Sequence, residues 1–299
     1  MKKVVIAGGT GFIGTYLATR FRELSYSVLI VSRDPEHVSW QPQDMVKAFE
    51  GADLVINLAG KTINCQHNEV NRKAILDSRL NTTQWIANAI VACKQPPKLW
   101  INASAAGIYK SSITKAMTED ETALGTNFLS EVVTQWEKVF FGFKLPKTRQ
   151  VALRTSVVLG RNGGALRPLV WLTRFGLGGK QAEGTQIFSW IHVEDYFRIV
   201  QFLMEDISLQ GVFNCTAPYP LSNKDFMRSL RKILHIPFGI PAPRLAIEIG
   251  AKLIGTEPEL LLNSSFVIPK RLNEAGFQFA FPDVEKALAD LLKFPSSSY

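Results

Sequence analysis

Up to Thr216 the chain groups its apolar residues in two ways. Compact runs rich in Val and Ile are separated by longer stretches in which apolar residues recur every three or four positions. The runs read as strands buried on both faces, and the stretches as helices packed over them. Lys3-Val4-Val5-Ile6-Ala7 opens the series as a strand. Ile13, Leu17, Phe21 and Leu24 then fall at i, i+4, i+8 and i+11, which predicts the buried face of a helix. Further strands are predicted at Ser27–Val31, Asp53–Gly60, Leu99–Ser104, Val151–Thr155, Ile187–Val193 and Gly211–Thr216, with a short extended piece near Val38. Helices are predicted around Asp44–Phe49, over Asn68–Cys93 until Pro96-Pro97 stops it, over Phe128–Phe141, and from Glu194-Asp195 onward. Thr118-Glu119-Asp120-Glu121 reads as an acidic loop. Ser222 and Asp225 have the spacing of a helix capping box. The remainder reads as a smaller α-rich part, and Pro295–Tyr299 as a disordered tail.

Gly8-Gly9-Thr10-Gly11-Phe12-Ile13-Gly14 joins the first strand to the first helix without a break. Strand, glycine turn and helix together form a dinucleotide-binding fingerprint, which a lone glycine motif would not. Early glycines allow backbone angles closed to other residues and a close approach to a pyrophosphate. Gly14 is expected to let the helix lie against its strand, and the helix N-terminus offers unpaired N–H groups to the phosphates. In this architecture the second strand ends beside the adenosine ribose. Ser32 and Arg33 stand there, a hydroxyl and a guanidinium suited to the 2′-phosphate of NADP. Asp34, one position on, would serve NAD in a shifted register, so NAD remains the lesser alternative. The strand ending in Leu58-Ala59-Gly60 leaves room for a ligand across the sheet, and Arg79 can reach a phosphate.

Composition narrows the classes. The chain has 299 residues, 46% hydrophobic and 20% charged, which suits a soluble globular protein. No apolar run approaches the ~20 residues of a membrane span. The N-terminus enters a strand directly, so no signal peptide and a cytoplasmic location are expected. Cys65, Cys93 and Cys215 are widely spaced and odd in number, which reads as reduced thiols rather than disulfides or a zinc site. The formal charge of +8 is scattered along the sequence. That favours anionic small molecules over nucleic acid or membrane as partners. Beyond Gly160 the glycines crowd together (Gly163-Gly164, Gly176, Gly178-Gly179, Gly184), which reads as a mobile loop over a ligand site. His192 reads as structural.

Taken in order, Gly8–Gly14, Asn57-Leu58-Ala59-Gly60, the strand running into Ser104 and Tyr109, Arg154 to Gly160, and Ile191-His192-Val193-Glu194-Asp195 resemble the extended short-chain dehydrogenase/reductase superfamily. Asp77-Ser78-Arg79, Trp136-Glu137, Gly163-Gly164-Ala165-Leu166 and Ser189-Trp190-Ile191-His192 narrow the likeness. They resemble the atypical sugar-nucleotide epimerase-like branch called epimerase family protein. Its C-terminal domain of unknown function is matched by Asn214 with Ala217-Pro218, by Val267–Leu272 and by Ala275-Gly276-Phe277. The resemblance implies an α/β fold: a Rossmann doubly wound parallel sheet with a smaller C-terminal α-rich substrate domain. The expected division is residues 1–160 plus 187–216 for NADP, and 161–186 plus 217–299 for lid and substrate.

The resemblance also implies an NADP site made by Gly8, Thr10, Gly11, Phe12, Ile13, Ser32, Arg33, Leu58, Ala59, Gly60, Arg79 and Val158. The implied activity is hydride transfer between the nicotinamide and a small carbonyl or carbinol substrate, with nucleotide sugars one candidate class. The superfamily's usual catalytic pair is a tyrosine with a lysine four residues later, and this sequence lacks it. Phe128 and Leu129 stand where the tyrosine belongs, and Val132 or Val133 where the lysine belongs. Aligned on Tyr109, Ala105 takes the usual serine position. Tyr109, with Ser104 beside it, is the phenol nominated as a substitute acid. Its other reading is an aromatic side chain packed beside the nicotinamide. The missing pair leaves two functions open, an NADP-dependent oxidoreductase or epimerase and an NADP-binding regulator.

Overall fold

The computed structural model of the chain describes residues 1–253, 255 and 257–292. Its first half alternates strand and helix as the hydrophobic pattern requires. β1 (Lys3–Ala7) leads into α1 (Phe12–Glu23), β2 (Ser27–Val31) into α2 (Pro42–Phe49), and β3 (Leu54–Asn57) into α3 (Glu69–Ala92). β4 (Leu99–Ala105) is followed by a 3-10 turn, α4 (Phe128–Phe141) and β5 (Arg149–Thr155). Then come β6 (Val157–Gly160), β7 (Gly163–Gly164), α5 (Leu166–Arg174), β8 (Ile187–Phe188), β9 (Trp190–His192), α6 (Val193–Glu205) and β10 (Gly211–Cys215). β11 (Leu221–Ser222), α7 (Asn223–Ile233), α8 (Arg244–Leu253), α9 (Glu259–Leu262), α10 (Lys270–Glu274) and α11 (Val284–Leu292) complete the described chain. The expected tail Pro295–Tyr299 lies outside the described residues.

Six strands form one wholly parallel sheet in the order β10-β5-β4-β3-β1-β2. The order reverses beside β1, so the crevice at the carboxyl ends of β1 and β3 is the switch point where ligands bind in such sheets. Alternate residues of each strand feed opposite layers. Val4, Ile6, Leu54, Ile56, Leu99 and Ile101 pack with Leu17, Phe21 and Phe197 of α1 and α6. Val5, Val55 and Trp100 face α2, α3 and α4 with Phe49, Ile86 and Phe140. A third core joins Leu159, Leu166 and Trp190 to Phe226 and Leu230 of α7 and Leu288 of α11.

Several expectations need correction. Leu24 caps α1 from outside the helix and is exposed, and Ile13 is only partly buried. The strand expected over Asp53–Gly60 stops at Asn57, because Asn57 Oδ1 takes the Ala59 N–H at 3.1 Å and turns the backbone out of the ladder. Ile187–Val193 is not one strand. β8 pairs with β11 while β9 pairs with β6, so neither joins the main sheet. Ser189 breaks the run: its Oγ donates to the Ser265 carbonyl at 2.5 Å and accepts the Val267 N–H at 2.9 Å. Ser222 caps α7 as the spacing predicts, its Oγ accepting the Asp225 N–H at 3.2 Å, while the Asp225 carboxylate accepts from the Ser222 hydroxyl at 2.5 Å.

The dense glycines serve close packing rather than looseness. A Cβ at Gly160 or Gly163 would lie 2.3 or 2.5 Å from the Phe12 ring, and one at Gly179 2.4 Å from the Ile240 backbone. Side chains are excluded there because two backbones, or a backbone and a ring, already touch.

Candidate cofactor and catalytic site

The glycine turn is locked by its neighbours. Gly8 has φ +75°, and a Cβ on it would sit 2.7 Å from the Ala59 nitrogen, so the turn rests directly on the end of β3. Its N–H donates to the Val31 carbonyl at 2.9 Å. Gly14 meets the turn rather than the strand, since a Cβ there would lie 2.6 Å from Gly9 Cα. No side chain caps α1, and Thr10 and Gly11 are exposed. The first N–H groups of the helix therefore open onto the switch-point crevice with the positive end of its dipole behind them. The Phe12 ring turns away from the crevice, into the glycines of β6 and β7.

At the end of β2, Arg33 is exposed with no hydrogen bond or ion pair among the described residues. Ser32 is buried, and its Oγ accepts the Asp34 N–H and lies 3.0 Å from His37 Nδ1. Asp34 is spent on its own turn, with Oδ1 accepting the Glu36 N–H. His37 is a neighbour of this corner that the sequence pattern did not single out.

Arg79 lies deeper. Its Nη1 donates to the carbonyls of Lys61 (3.1 Å) and Ile75 (2.9 Å), its guanidinium stacks 5.3 Å from the Trp136 ring, and no carboxylate pairs with it among the described residues. Burial pulls its pKa down to about 10. A Cβ on Gly60 would lie 3.4 Å from the guanidinium carbon, so Gly60 and Arg79 share one wall. Ala59 and Val158 are nearly buried, and Leu58 anchors the wall through its N–H to the Ala7 carbonyl at 2.8 Å. A largely desolvated cation without a counter-charge is suited to an anionic ligand.

Ser104 and Tyr109 enter a buried polar chain. Ser104 Oγ donates to Glu137 Oε1 at 2.6 Å, and Arg154 clamps the same carboxylate through Nε and Nη2 at 2.8 and 2.7 Å. Arg154 Nη1 donates to the Tyr109 hydroxyl at 2.8 Å, which donates to Asn214 Oδ1 at 2.8 Å. Asn214 continues through Nδ2 to the Ile268 carbonyl, and its N–H reaches Glu119 Oε1 at 2.9 Å. Glu119 therefore departs from the expected acidic loop: it is tucked in, with burial raising its pKa. Burial also raises the Tyr109 pKa although Arg154 pulls the other way, so the phenol stays protonated. Burial opposes the Arg154 charge, but Glu137 outweighs it and holds the guanidinium protonated.

The sequence pattern had flagged Glu137, Arg154 and Asn214 only as family signatures, and Glu119 only as part of an acidic loop. At the superfamily's lysine position Val132 and Val133 are buried, and at its tyrosine position the Phe128 ring lies against His67 and Arg72. A broad hollow of about 910 Å³ lies at the other end of the strands, bordered by Lys2, Asp53 and Lys98, away from every residue of this site.

A sequence profile for the NAD dependent epimerase/dehydratase family matches residues 4–130, and one for a domain of unknown function matches 242–291. The epimerase family protein SDR39U1 of Mus musculus is 36% identical over 298 residues, covering 97% of this chain and 99% of that protein. A crystal structure of human SDR39U1 with NADPH superposes with a TM-score of 0.88 at 35% identity, covering 97% of this chain and 98% of that one. MoeE5 in complex with UDP-glucose and NAD superposes with a TM-score of 0.73 at 18% identity over 97% of this chain and 98% of its own, a likeness of fold alone. Among the described residues no helix is long and apolar enough to cross a membrane.

Proposed function

The chain belongs to the epimerase family, and from that premise we propose that it is an NADP-dependent oxidoreductase or sugar-nucleotide epimerase-like enzyme acting on a small carbonyl or carbinol compound. The observation that carries this reading is the uncapped first turn of α1 above a glycine turn seated on β3, with the exposed Arg33, unpaired among the described residues, at the end of β2. In this reading the backbone of Thr10 to Ile13 holds the pyrophosphate, and Ser32 and Arg33 receive the 2′-phosphate. Leu58, Ala59, Gly60 and Val158 form the walls, and Arg79 supplies charge against a phosphate. The cofactor supplies or accepts the hydride, and the protein orients it and excludes water. Residues 1–160 plus 187–216 serve the cofactor, while 161–186 plus 217–299 close the substrate side. Nucleotide sugars are the first substrate class to try.

Tyr109 is the proton donor of this reading, with Ser104 beside it. A second reading, an NADP-binding regulator, is favoured by one observation: the Tyr109 hydroxyl is already engaged by both Arg154 and Asn214. The test is to titrate NADP and NADPH calorimetrically, then follow nicotinamide absorbance across a panel of carbonyl compounds and nucleotide sugars. Turnover that Tyr109→Phe abolishes supports the enzyme. Tight binding with no turnover across the panel supports the regulator. No binding of either dinucleotide defeats both.

A further inference from the structure

Eight large apolar side chains in segments 171–177 and 238–253 stand in solvent, Phe238 at 64% and Leu253 at 82% exposure. Those at the end of α5 and in the 238–240 segment form a connected face. The Trp171 and Phe175 rings at the end of α5 lie 4.7 Å apart. A Cβ on Gly176 would lie 3.1 Å from the Phe238 ring, and the Ile240 N–H donates to the Gly176 carbonyl at 2.8 Å. Gly178 and Gly239 touch backbone to backbone, so the two segments are fastened together and display their rings outward. α8 continues the series: Leu245, Ile249 and Leu253 fall at i, i+4 and i+8 and are exposed, while Ile247 and Ala251 on its other side are buried. Trp, Phe and Leu on one side of a helix and its adjoining loops match a surface that lies in a membrane interface.

The charge points the same way. Residues 161–186 and 217–299 hold fourteen Lys and Arg against nine Asp and Glu, which is +5 of the chain's net +8. Arg167 stands one helical turn before Trp171 on α5, and Lys180 and Lys224 meet around Gly184, beside the 240–242 segment, whose Ala242 N–H donates to the Lys180 carbonyl at 3.0 Å. Arg167, Lys180 and Lys224 are exposed and have no ion pair among the described residues. Two such faces would repel each other, which disfavours a second copy as the occupant.

We propose that this face docks on an anionic lipid bilayer, its aromatic and aliphatic side chains seated among the headgroups and its cations on the lipid phosphates. The proposal does not depend on cofactor binding or turnover. It is tested with the full chain and vesicles of phosphatidylcholine with or without phosphatidylglycerol, by flotation. Binding is expected only with phosphatidylglycerol, weakened about tenfold on going from low to high salt. Trp171→Ser with Phe238→Ser should lower the bound fraction about tenfold, and Arg167→Ser with Lys224→Ser should weaken it while leaving the apolar face intact. All these positions are exposed, so thermal melts of the variants should match the parent. Absence of binding to anionic vesicles at low salt overturns the proposal, as does equal binding to phosphatidylcholine alone. A dimer in sedimentation velocity that Phe238→Ser dissolves overturns it in favour of a second copy.

Discussion

Two regions at the carboxyl edge of the same sheet use polar groups in opposite ways. Around Gly8 to Gly14 the donors are main-chain N–H groups left open by an uncapped helix, and Arg79 has no carboxylate to answer it among the described residues. Between β4 and β10 the polar groups answer each other: Ser104, Glu137, Arg154, Tyr109 and Asn214 form a closed series. The first region is shaped to receive charge from outside. The second spends its charge on holding strands and the C-terminal segment together. A phenol in the second region is therefore a joint of the scaffold as well as a candidate acid.

Breaking the closed series should produce the largest effect. Arg154→Leu leaves Glu137 buried without its cation, and a loss of about 3–5 kcal/mol is expected by chemical denaturation. Replacing both partners, Glu137→Leu with Arg154→Leu, should recover much of that loss, because two apolar side chains leave no stranded charge. A single mutant that melts like the parent would show that the series carries no load.

Gly8→Ala attacks the open region and should cost less stability but more binding. An L-residue at φ +75° is strained by about 1–2 kcal/mol, and its Cβ would also meet the Ala59 backbone. The turn and the end of β3 must separate, so NADPH affinity is expected to fall at least about tenfold, read by calorimetry. Unchanged affinity would remove the glycine turn from the binding site. Arg33→Asp is gentler still. It should leave the fold alone and shift the preference between NADP and NAD by about tenfold toward NAD. An unaltered ratio would take the 2′-phosphate away from Arg33.

The contrast between these regions also explains what the sequence disclosed. The glycine turn, β1, β2 and α4 depend on residues close together in the chain, and their pattern was legible: observed and expected bounds of these strands and of α4 coincide. The closed series joins residues separated by 33, 17, 45 and 105 positions, and no local periodicity encodes that. Glu119 looked like a loop residue because it stands in a run of three acids, whereas its own partners lie on β10 and at the start of α10. The glycines after Gly160 misled for a related reason. Composition reports that a Cβ is excluded but not what excludes it, and here it is the Phe12 ring and the 238–240 backbone.

The smallest expected effect tests whether the structural histidine behaves as part of the closed architecture. His192 caps α6 by accepting the Glu194 N–H on Nδ1 at 3.0 Å, stacks on Phe281 at 3.9 Å, and lies 3.3 Å from Asp290 through Nε2. Burial lowers its pKa from the usual value near 6.5, and Asp290, Asp195 and Glu194 oppose that without cancelling it. The folded protein therefore keeps this imidazole neutral where the unfolded chain has begun to protonate. Below about pH 6.5 the unfolded state binds more protons, so stability contributed here is present above that pH and is lost as pH falls toward the native pKa. Protonation would also place a proton on Nδ1 against the N–H it now accepts and uncap the helix. His192→Asn keeps a capping oxygen but has no such titration. The parent should lose stability more steeply than the variant below about pH 6.5 and in parallel with it above about pH 7.5, measured by denaturant titration at each pH. Parallel curves throughout would show that His192 titrates alike in the folded and unfolded chain, leaving it a packing residue and nothing more.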